Sequence, residues 1–471
     1  MPSVIISLLL PNELYRFQPN LFLSSVQDGQ ILKAVVLRYI KLAWALTLES
    51  FFAGIYLVLT RGLFIIYLVS MGLEINSISL IIFSSSLVSM IVSFLIYKYS
   101  FFLIKRVRMK SLFFHALERV LWIFIPLIQD YSVVLIVYSI ITCLPVSIFI
   151  NFMIYGLLPE IEIRKVTANR SIAYGISSVL GSFLAVFLIA TMPSDLKFLY
   201  IFLLGSFIGI ISTLVISLLD LSPLEKVKIR SGIEQPERIF SSSVLLLCIL
   251  FSGNFLGFVW IPYVMTRLSG SDTLAALMNL AATLASVVAA FVWGSRKFKQ
   301  LRFSLVFDIF IPIMAILTVL PALHVPIFAF SSFMYTGTNF LGSFLFARYK
   351  ECLGTTKSSA LMIGINYLAQ LMAALTGMIL GGNYVLIFLI IVIVKVISTI
   401  LVLVIIPETA AITEDAARIY SRILYSNSVI GYYTTVEVSK EALSITLRLL
   451  ALSLVVLILY VIYRVLMLIL L

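Results

Sequence analysis

The chain has 471 residues, of which 62% are hydrophobic and only 11% are charged, with a mean hydropathy of +1.15. A soluble domain typically carries about 25% charged residues, so this composition excludes an ordinary soluble protein and indicates extensive contact with lipid. The net charge of +12 suggests a nucleic-acid partner, but the placement of the basic residues argues against one.

Residues 1–41 precede the first apolar run and are predicted to be an N-terminal cytoplasmic segment. Within it, Ile31–Lys41 alternates apolar and basic residues at helical spacing, which fits either a helix on the membrane surface or an extension of the first span. The chain then repeats apolar runs long enough to cross a hydrocarbon core of roughly 30 Å. The predicted spans are 42–71, 78–98, 111–128, 131–158, 168–192, 198–220, 241–267, 273–294, 303–321, 325–348, 358–381 and 384–406.

A polar segment with two prolines, residues 221–240, divides these spans into two sets of six. The sequence therefore predicts an all-α polytopic membrane protein with two six-helix bundles, at 42–220 and 241–406, joined by a central cytoplasmic loop. The predicted layout is twelve transmembrane helices in two equal sets.

The chain continues beyond the twelfth predicted span. Residues 407–448 are predicted to be cytoplasmic, and Ala410–Ser426 has acids first, arginines later and the spacing of an amphipathic surface helix. The last run, 449–471, has 23 residues and one charge, which predicts a thirteenth, C-terminal transmembrane helix. That helix is either a plain anchor or a means of recruiting a membrane partner.

Lysine and arginine placement predicts the orientation. With the N-terminus in the cytoplasm, 27 of the 33 basic residues fall in cytoplasmic segments, two in outer segments and four within spans. This bias follows the positive-inside rule at every loop and accounts for the basic composition without a nucleic-acid partner. We expect a protein integral to the plasma membrane.

The two halves repeat weakly at an offset near 197 residues. Phe52-Ala53-Gly54 recurs as Phe251-Ser252-Gly253, and the basic turn at 98–110 recurs at 296–302. Six spans per half in a common order indicate two related bundles about an axis along the membrane normal.

With this layout, its long central loop and the segment Leu158–Lys165 followed by Asn169-Arg170, the chain resembles the major facilitator superfamily of secondary transporters over residues 42–406. The resemblance implies a small-molecule substrate, alternating access and a coupling ion, H⁺ or Na⁺. The chain departs from the family at the turn after the second span. Tyr97-Lys98-Tyr99-Ser100 stands where the family carries glycine, aspartate and arginine, which puts the family's contacts at that turn in doubt.

Arg61 is the best candidate for contact with a substrate. It lies near the middle of the first span, where an arginine costs about 2.5–3.5 kcal/mol unless it faces protein, water or a ligand. Arginine binds carboxylate and phosphate groups bidentately and keeps its charge. The alternative is a structural ion pair with Glu49 or Glu118.

Three further charged residues are candidates for a proton site or an ion pair. Glu118 and Arg119 are adjacent in the third span, where an ion pair between helices is the favoured interpretation. Glu49 lies nearer the cytoplasmic end of the first span, where a gate or a surface contact is favoured. In the second half, Asp308 and Lys395 are expected to pair with each other or to extend toward the membrane surface.

A second group consists of polar and aromatic residues on spans that the resemblance places around a central cavity, or next to them. Amides and phenols there can orient a ligand, but they also hold helices together without one. The candidates are Asn151, Tyr155, Asn254, Trp260, Tyr335, Thr338, Asn339, Asn366 and Gln370.

The sequence gives no sign of an enzyme, because it offers no paired acids and no nucleophile with a base near one face. Its three cysteines lie far apart and its two histidines lack partners at ligand spacing, so no metal and no cofactor are expected. We therefore predict a secondary transporter for a small solute, with an anion favoured by Arg61. The alternative is a transport-inactive scaffold of the same shape that serves as a subunit or assembly factor.

Overall fold

The computed structural model describes residues 26–158, 160–193, 196–227, 236–294, 296–347, 353–407 and 409–437, and all regular structure within these ranges is helical. We number the helices in chain order and treat a bent or π-helical continuation as part of its helix. They are α1 (Val26–Leu57, continued by Val58–Gly62 and Leu63–Ser70), α2 (Ile75–Lys98), α3 (Val107–Leu121), α4 (Tyr131–Cys143 and Val146–Leu157), α5 (Glu160–Thr191), α6 (Lys197–Ser217), α7 (Pro236–Pro262, continued by Tyr263–Arg267), α8 (Asp272–Gly294), α9 (Phe298–Asp308 and Phe310–Leu317), α10 (His324–Ala347), α11 (Thr355–Leu380), α12 (Tyr384–Ile400, continued by Leu401–Ile405) and α13 (414–437).

Ten of the described helices are long and apolar enough to cross a membrane. Of α1 to α12, α3 and α10 do not meet that standard. The 15 residues of α3 include Glu118 and Arg119, and α10 carries a run of hydroxyl and amide residues between Ser331 and Asn339. Polar helices of this kind pack against protein or water rather than lipid. The twelve-span count remains a prediction, and the predicted thirteenth span at 449–471 lies outside the described residues.

Three helix boundaries differ from those predicted. Val26–Leu57 is one unbroken helix, so the stretch 31–41 extends the first span. The third helix ends at Leu121 instead of 128, and a short 3₁₀ turn with Pro126 follows, because proline lacks the N–H that the helix needs. The tail helix begins at residue 414, where Thr413 precedes two acids that favour a helix N-terminus, and it runs on to 437.

The hydrophobic core is distributed unequally along the bundles. We call the end that carries the basic turns the inner end and the opposite end the outer end. Toward the outer end, one continuous core contains side chains from both sets of six helices, for example Phe64 of α1 and Trp260 of α7. Toward the inner end the cores are separate, one around Leu46 and Phe152 and another around Leu245 and Leu305. Among the described helices of the second bundle, only α11 contributes side chains to the inner core of the first bundle.

Two helix pairs make the most extensive contacts between the bundles, α2 with α11 and α5 with α8. In addition, α4 contacts α11, and α1 contacts α7 and α8. Small residues allow the close approach: a Cβ at Gly377 of α11 would lie 2.5 Å from the Ser79 hydroxyl of α2. Between α5 and α8, the Ser182 hydroxyl donates to Thr283 Oγ1 at 3.3 Å. Glycine and serine are common in such interfaces because they let helix backbones come together.

Candidate functional site

Arg61 lies in a π-helical turn, Val58–Gly62, that interrupts α1 within its apolar part. Such turns insert one extra residue into a helix and are frequent at functional sites. The Arg61 side chain extends from this turn toward α3, where its Nη2 donates to Glu118 Oε1 at 2.7 Å.

Glu118 is the centre of a buried polar cluster. Its second carboxylate oxygen accepts from Arg119 Nη1 at 2.8 Å, and its first also accepts from the Tyr56 hydroxyl at 3.1 Å. The Arg119 guanidinium lies over the Tyr56 ring, 4.8 Å from the ring centre, at a distance typical of cation–π contacts. We refer to Arg61, Glu118, Arg119 and Tyr56 as the Arg61 cluster.

The two arginines of the Arg61 cluster differ in accessibility. The Arg61 side chain keeps 32% of its surface exposed, whereas Arg119 keeps 4% and Glu118 keeps 3%. The Nε atoms of both arginines are buried and make no hydrogen bond. Arg61 is therefore the one charged member of the cluster with appreciable exposed surface.

Phenols from both bundles lie within electrostatic range of Arg61. They belong to Tyr138 of α4, Tyr174 of α5 and Tyr367 of α11. The Tyr367 hydroxyl donates across the bundle interface to the Thr142 carbonyl at 2.9 Å. The site around Arg61 thus lies between the two bundles.

A second buried network lies nearer the inner end. Glu49 of α1 accepts from Arg170 of α5 at 2.7 Å, and its other oxygen lies 3.6 Å from His115 Nε2 of α3. The other ring nitrogen of His115 lies 2.7 Å from Thr213 Oγ1. Glu49 is only 2% exposed, so the surface contact considered from sequence is wrong: its carboxylate is buried and paired within the first bundle. A role of Glu49 as a gate stays a prediction.

Gly209 of α6 allows the Arg61 cluster to form. A Cβ at this position would lie 2.5 Å from Arg119 Cγ and 2.8 Å from the Tyr56 ring. Gly209→Ala is therefore expected to lower stability by about 1–3 kcal/mol, as overpacked cores do. Thermal unfolding of the purified protein measures the change. Gly257→Ala is the matched control, because a Cβ there has nothing within 4 Å; equal effects of the two substitutions would contradict this packing.

The second bundle has its own buried ion pair and an amide pair. Lys395 of α12 donates to Asp308 of α9, and both side chains are 2% exposed, so the pair expected from sequence is present. The Asn254 amide of α7 donates to Asn366 Oδ1 of α11 at 3.2 Å, which brings two of the predicted polar residues together.

The remaining predicted residues are dispersed. Trp260 is fully buried and its indole N–H donates to His324 at 2.9 Å, so we leave it out of the proposed site as a correction. The Tyr335 ring packs over Gly253 of α7, and Asn339 accepts from Ser343 at 3.5 Å. Both residues are half-buried, and so are three further candidates, Asn151, Tyr155 and Gln370. Substrate contact by these five residues stays a prediction.

Several site residues were not identified from sequence. The sequence gave no reason to single out Tyr56 or Tyr367 among the aromatics of apolar helices. The structure places the Tyr56 hydroxyl on the Glu118 carboxylate and the Tyr367 hydroxyl on the Thr142 carbonyl. Arg170 was counted among the basic residues of a cytoplasmic segment, yet its side chain is largely buried against Glu49. Within the described residues, no group of three histidine, cysteine or acidic side chains is placed to hold a metal ion.

Comparison with known proteins gives a structural likeness without a sequence match. No protein-family model matches the chain, and no curated protein matches it. Among solved structures, the nucleoside transporter NupG, in a mutant form, superposes with a TM-score of 0.56 at 12% identity, over 76% of this chain and 98% of NupG. A bacterial homologue of the human lysosomal transporter Spinster, in an inward-facing and occupied conformation, superposes with a TM-score of 0.52 at 15% identity, over 77% of this chain and 96% of the homologue.

Both neighbours are transporters, and each is covered almost completely by this chain. The likeness extends over the helical bundles rather than a single motif. It confirms, at the level of the fold, the resemblance that the sequence predicted. The chain is thus a multi-helix membrane protein with the fold of the major facilitator transporters.

Proposed function

We propose that this protein is a secondary active transporter that moves a small anionic solute across the membrane by alternating access. The observation that carries the proposal is a partly exposed arginine, Arg61, between two helical bundles. An arginine in such a place is stabilised by an anionic partner, and guanidinium is well suited to carboxylate and phosphate groups.

The distribution of the hydrophobic core supports alternating access. A core shared at the outer end and divided at the inner end favours a cavity that opens inward. At the outer end, the ion pair of Lys197 and Asp272 joins α6 to α8, and Asn279 of α8 donates to the Gly62 carbonyl of α1 at 3.0 Å. Rocking the bundles would break these contacts, open the outer end and close the inner end. With the basic turns in the cytoplasm, the present state faces the cytoplasm.

A ligand panel tests the proposal. The purified protein is mixed with small carboxylates, small phosphate esters, nucleosides and neutral sugars, and thermal unfolding is followed, because a ligand of the native state raises its apparent stability. We expect an anion to stabilise the wild type, and the same anion to be taken up by proteoliposomes. Arg61→Gln should remove both effects.

Arg267→Gln provides the matched control, since Arg267 is an exposed cation at the outer end that donates to the Gly382 carbonyl. Loss of binding in both variants, or in neither, would contradict the assignment of Arg61. If no compound is taken up and the protein co-purifies stably with a membrane partner, the transport-inactive scaffold becomes the better explanation.

A further inference from the structure

The Arg61 cluster is one negative charge short. It contains two guanidinium groups, Arg61 and Arg119, and a single carboxylate, Glu118, which bonds to both. Among the described residues, Glu49 of the neighbouring network is paired with Arg170. Tyr56, Tyr138, Tyr174 and Tyr367 lie within electrostatic range of Arg61, and a tyrosine does not supply a negative charge.

A buried charge without a partner is strongly unfavourable, and one that loses its partner typically destabilises a protein. The cluster therefore has a place for one more anionic group. Arg61 is the only one of the two arginines in the cluster that is appreciably exposed. An incoming anionic group can therefore contact the cluster only at Arg61.

The bonds of Glu118 also show which partner can leave. Without Arg61, the Glu118 carboxylate would keep the hydrogen bonds from Arg119 and Tyr56. Arg61, in contrast to Glu118, has a single hydrogen-bond partner among the described residues, which is Glu118 itself. An exchange in which Arg61 leaves Glu118 for an anion of the solute should therefore cost less free energy than removal of Glu118 from the cluster.

From this geometry we infer that Glu118 is a resident counter-ion, which Arg61 exchanges for one anionic group of the solute. The inference rests on the proposed function and refines it. The site selects a solute that presents a single negative charge, because one charge balances the cluster and a second would leave it with an excess. When the solute departs, Arg61 returns to Glu118, so the empty site is not left with a bare guanidinium.

A double-mutant cycle tests the inference: anion binding is compared among the wild type, Glu118→Gln, Arg119→Gln and the double variant. Glu118→Gln removes the competing carboxylate and should tighten anion binding by about tenfold or more. Arg119→Gln leaves Arg61 and Glu118 as a neutral pair and should weaken binding by a similar factor, although Arg119 is too buried to touch the solute. The double variant leaves Arg61 as the only charge and should restore binding.

The probes are acetate, benzoate and nicotinate, each compared with its uncharged amide at constant ionic strength, and inorganic phosphate as a more highly charged anion. Binding is read from the ligand-dependent shift in thermal unfolding. We expect the two single variants to change the affinity for the anion in opposite directions and the double variant to recover the wild-type affinity. A purely structural role for Glu118 predicts a loss of anion binding in all three variants. If Glu118→Gln does not fold, Arg119→Gln and the double variant still give opposite predictions.

Three results would overturn the inference. Equal or weaker binding by folded Glu118→Gln would show that Glu118 does not compete with the solute. Failure of the double variant to recover would show that the charge balance is not what matters. If the wild type binds a neutral compound at Arg61 and no anion, the counter-ion exchange fails while transport survives. If no compound binds any variant, the proposed function itself fails.

Discussion

Asp308→Asn is expected to lower the free energy of unfolding by about 3–5 kcal/mol, the usual cost of leaving one member of a buried ion pair without its partner. Lys395 and Asp308 are both almost fully buried between α9 and α12. Asparagine fills the same volume but carries no charge, so the substitution leaves the Lys395 ammonium group uncompensated within the second bundle. Thermal unfolding in detergent, followed by intrinsic fluorescence, measures the loss.

The double variant Asp308→Asn with Lys395→Met is the control. It removes both charges and keeps a long side chain on α12, so most of the stability should return, as it does where buried ion pairs are replaced by uncharged groups. Ligand binding at Arg61 should be unchanged in the double variant, because the pair lies in the other bundle. A single variant as stable as the wild type would show that water reaches Lys395.

Asp272→Lys is expected to open the outer end. The ion pair of Lys197 and Asp272 joins the bundles there, and the substitution places two cations together. Repulsion should separate α5 from α8, whose contact includes Ser182, a side chain only 2% exposed. A cysteine introduced by Ser182→Cys, in a variant with Cys143, Cys248 and Cys352 replaced, should then react with a thiol reagent about tenfold faster or more in detergent.

Exchanging the two charges, Lys197→Asp with Asp272→Lys, restores an opposite pair and should slow the reaction again. Labelling of Ser182→Cys that is fast in every background would mean that the outer contact is already open in solution. Labelling that is slow in every background would mean that the shared core alone holds the bundles together.

Most of the helices could be predicted from the sequence because apolar runs and basic turns are local signals. Arg61 could be chosen as a candidate for the same kind of reason, since a charge within an apolar run is conspicuous by itself. The pair of Asp308 and Lys395 could be expected for the same reason: each residue lacks another obvious partner in its own helix.

The composition of the Arg61 cluster could not be predicted in this way. Which acid meets Arg61 depends on the rotation of α1 against α3, and the π-helical turn at Val58–Gly62 changes that rotation without any clear sequence signal. The burial of Glu49 depends on Arg170, which is 121 residues away in the chain. Trp260 was misassigned because a tryptophan that faces a cavity and one that bonds to a buried histidine look alike in sequence.

The outer core that both bundles share has a consequence for the energetics of the transport cycle. Opening that end would bring apolar side chains of α1 and α7 into contact with water, and hydration of apolar surface raises the heat capacity. The equilibrium between the two states should therefore curve with temperature instead of following a straight van't Hoff line. The transport rate measured over a range of temperatures should show the same curvature. Low temperature should favour the state that exposes more apolar surface.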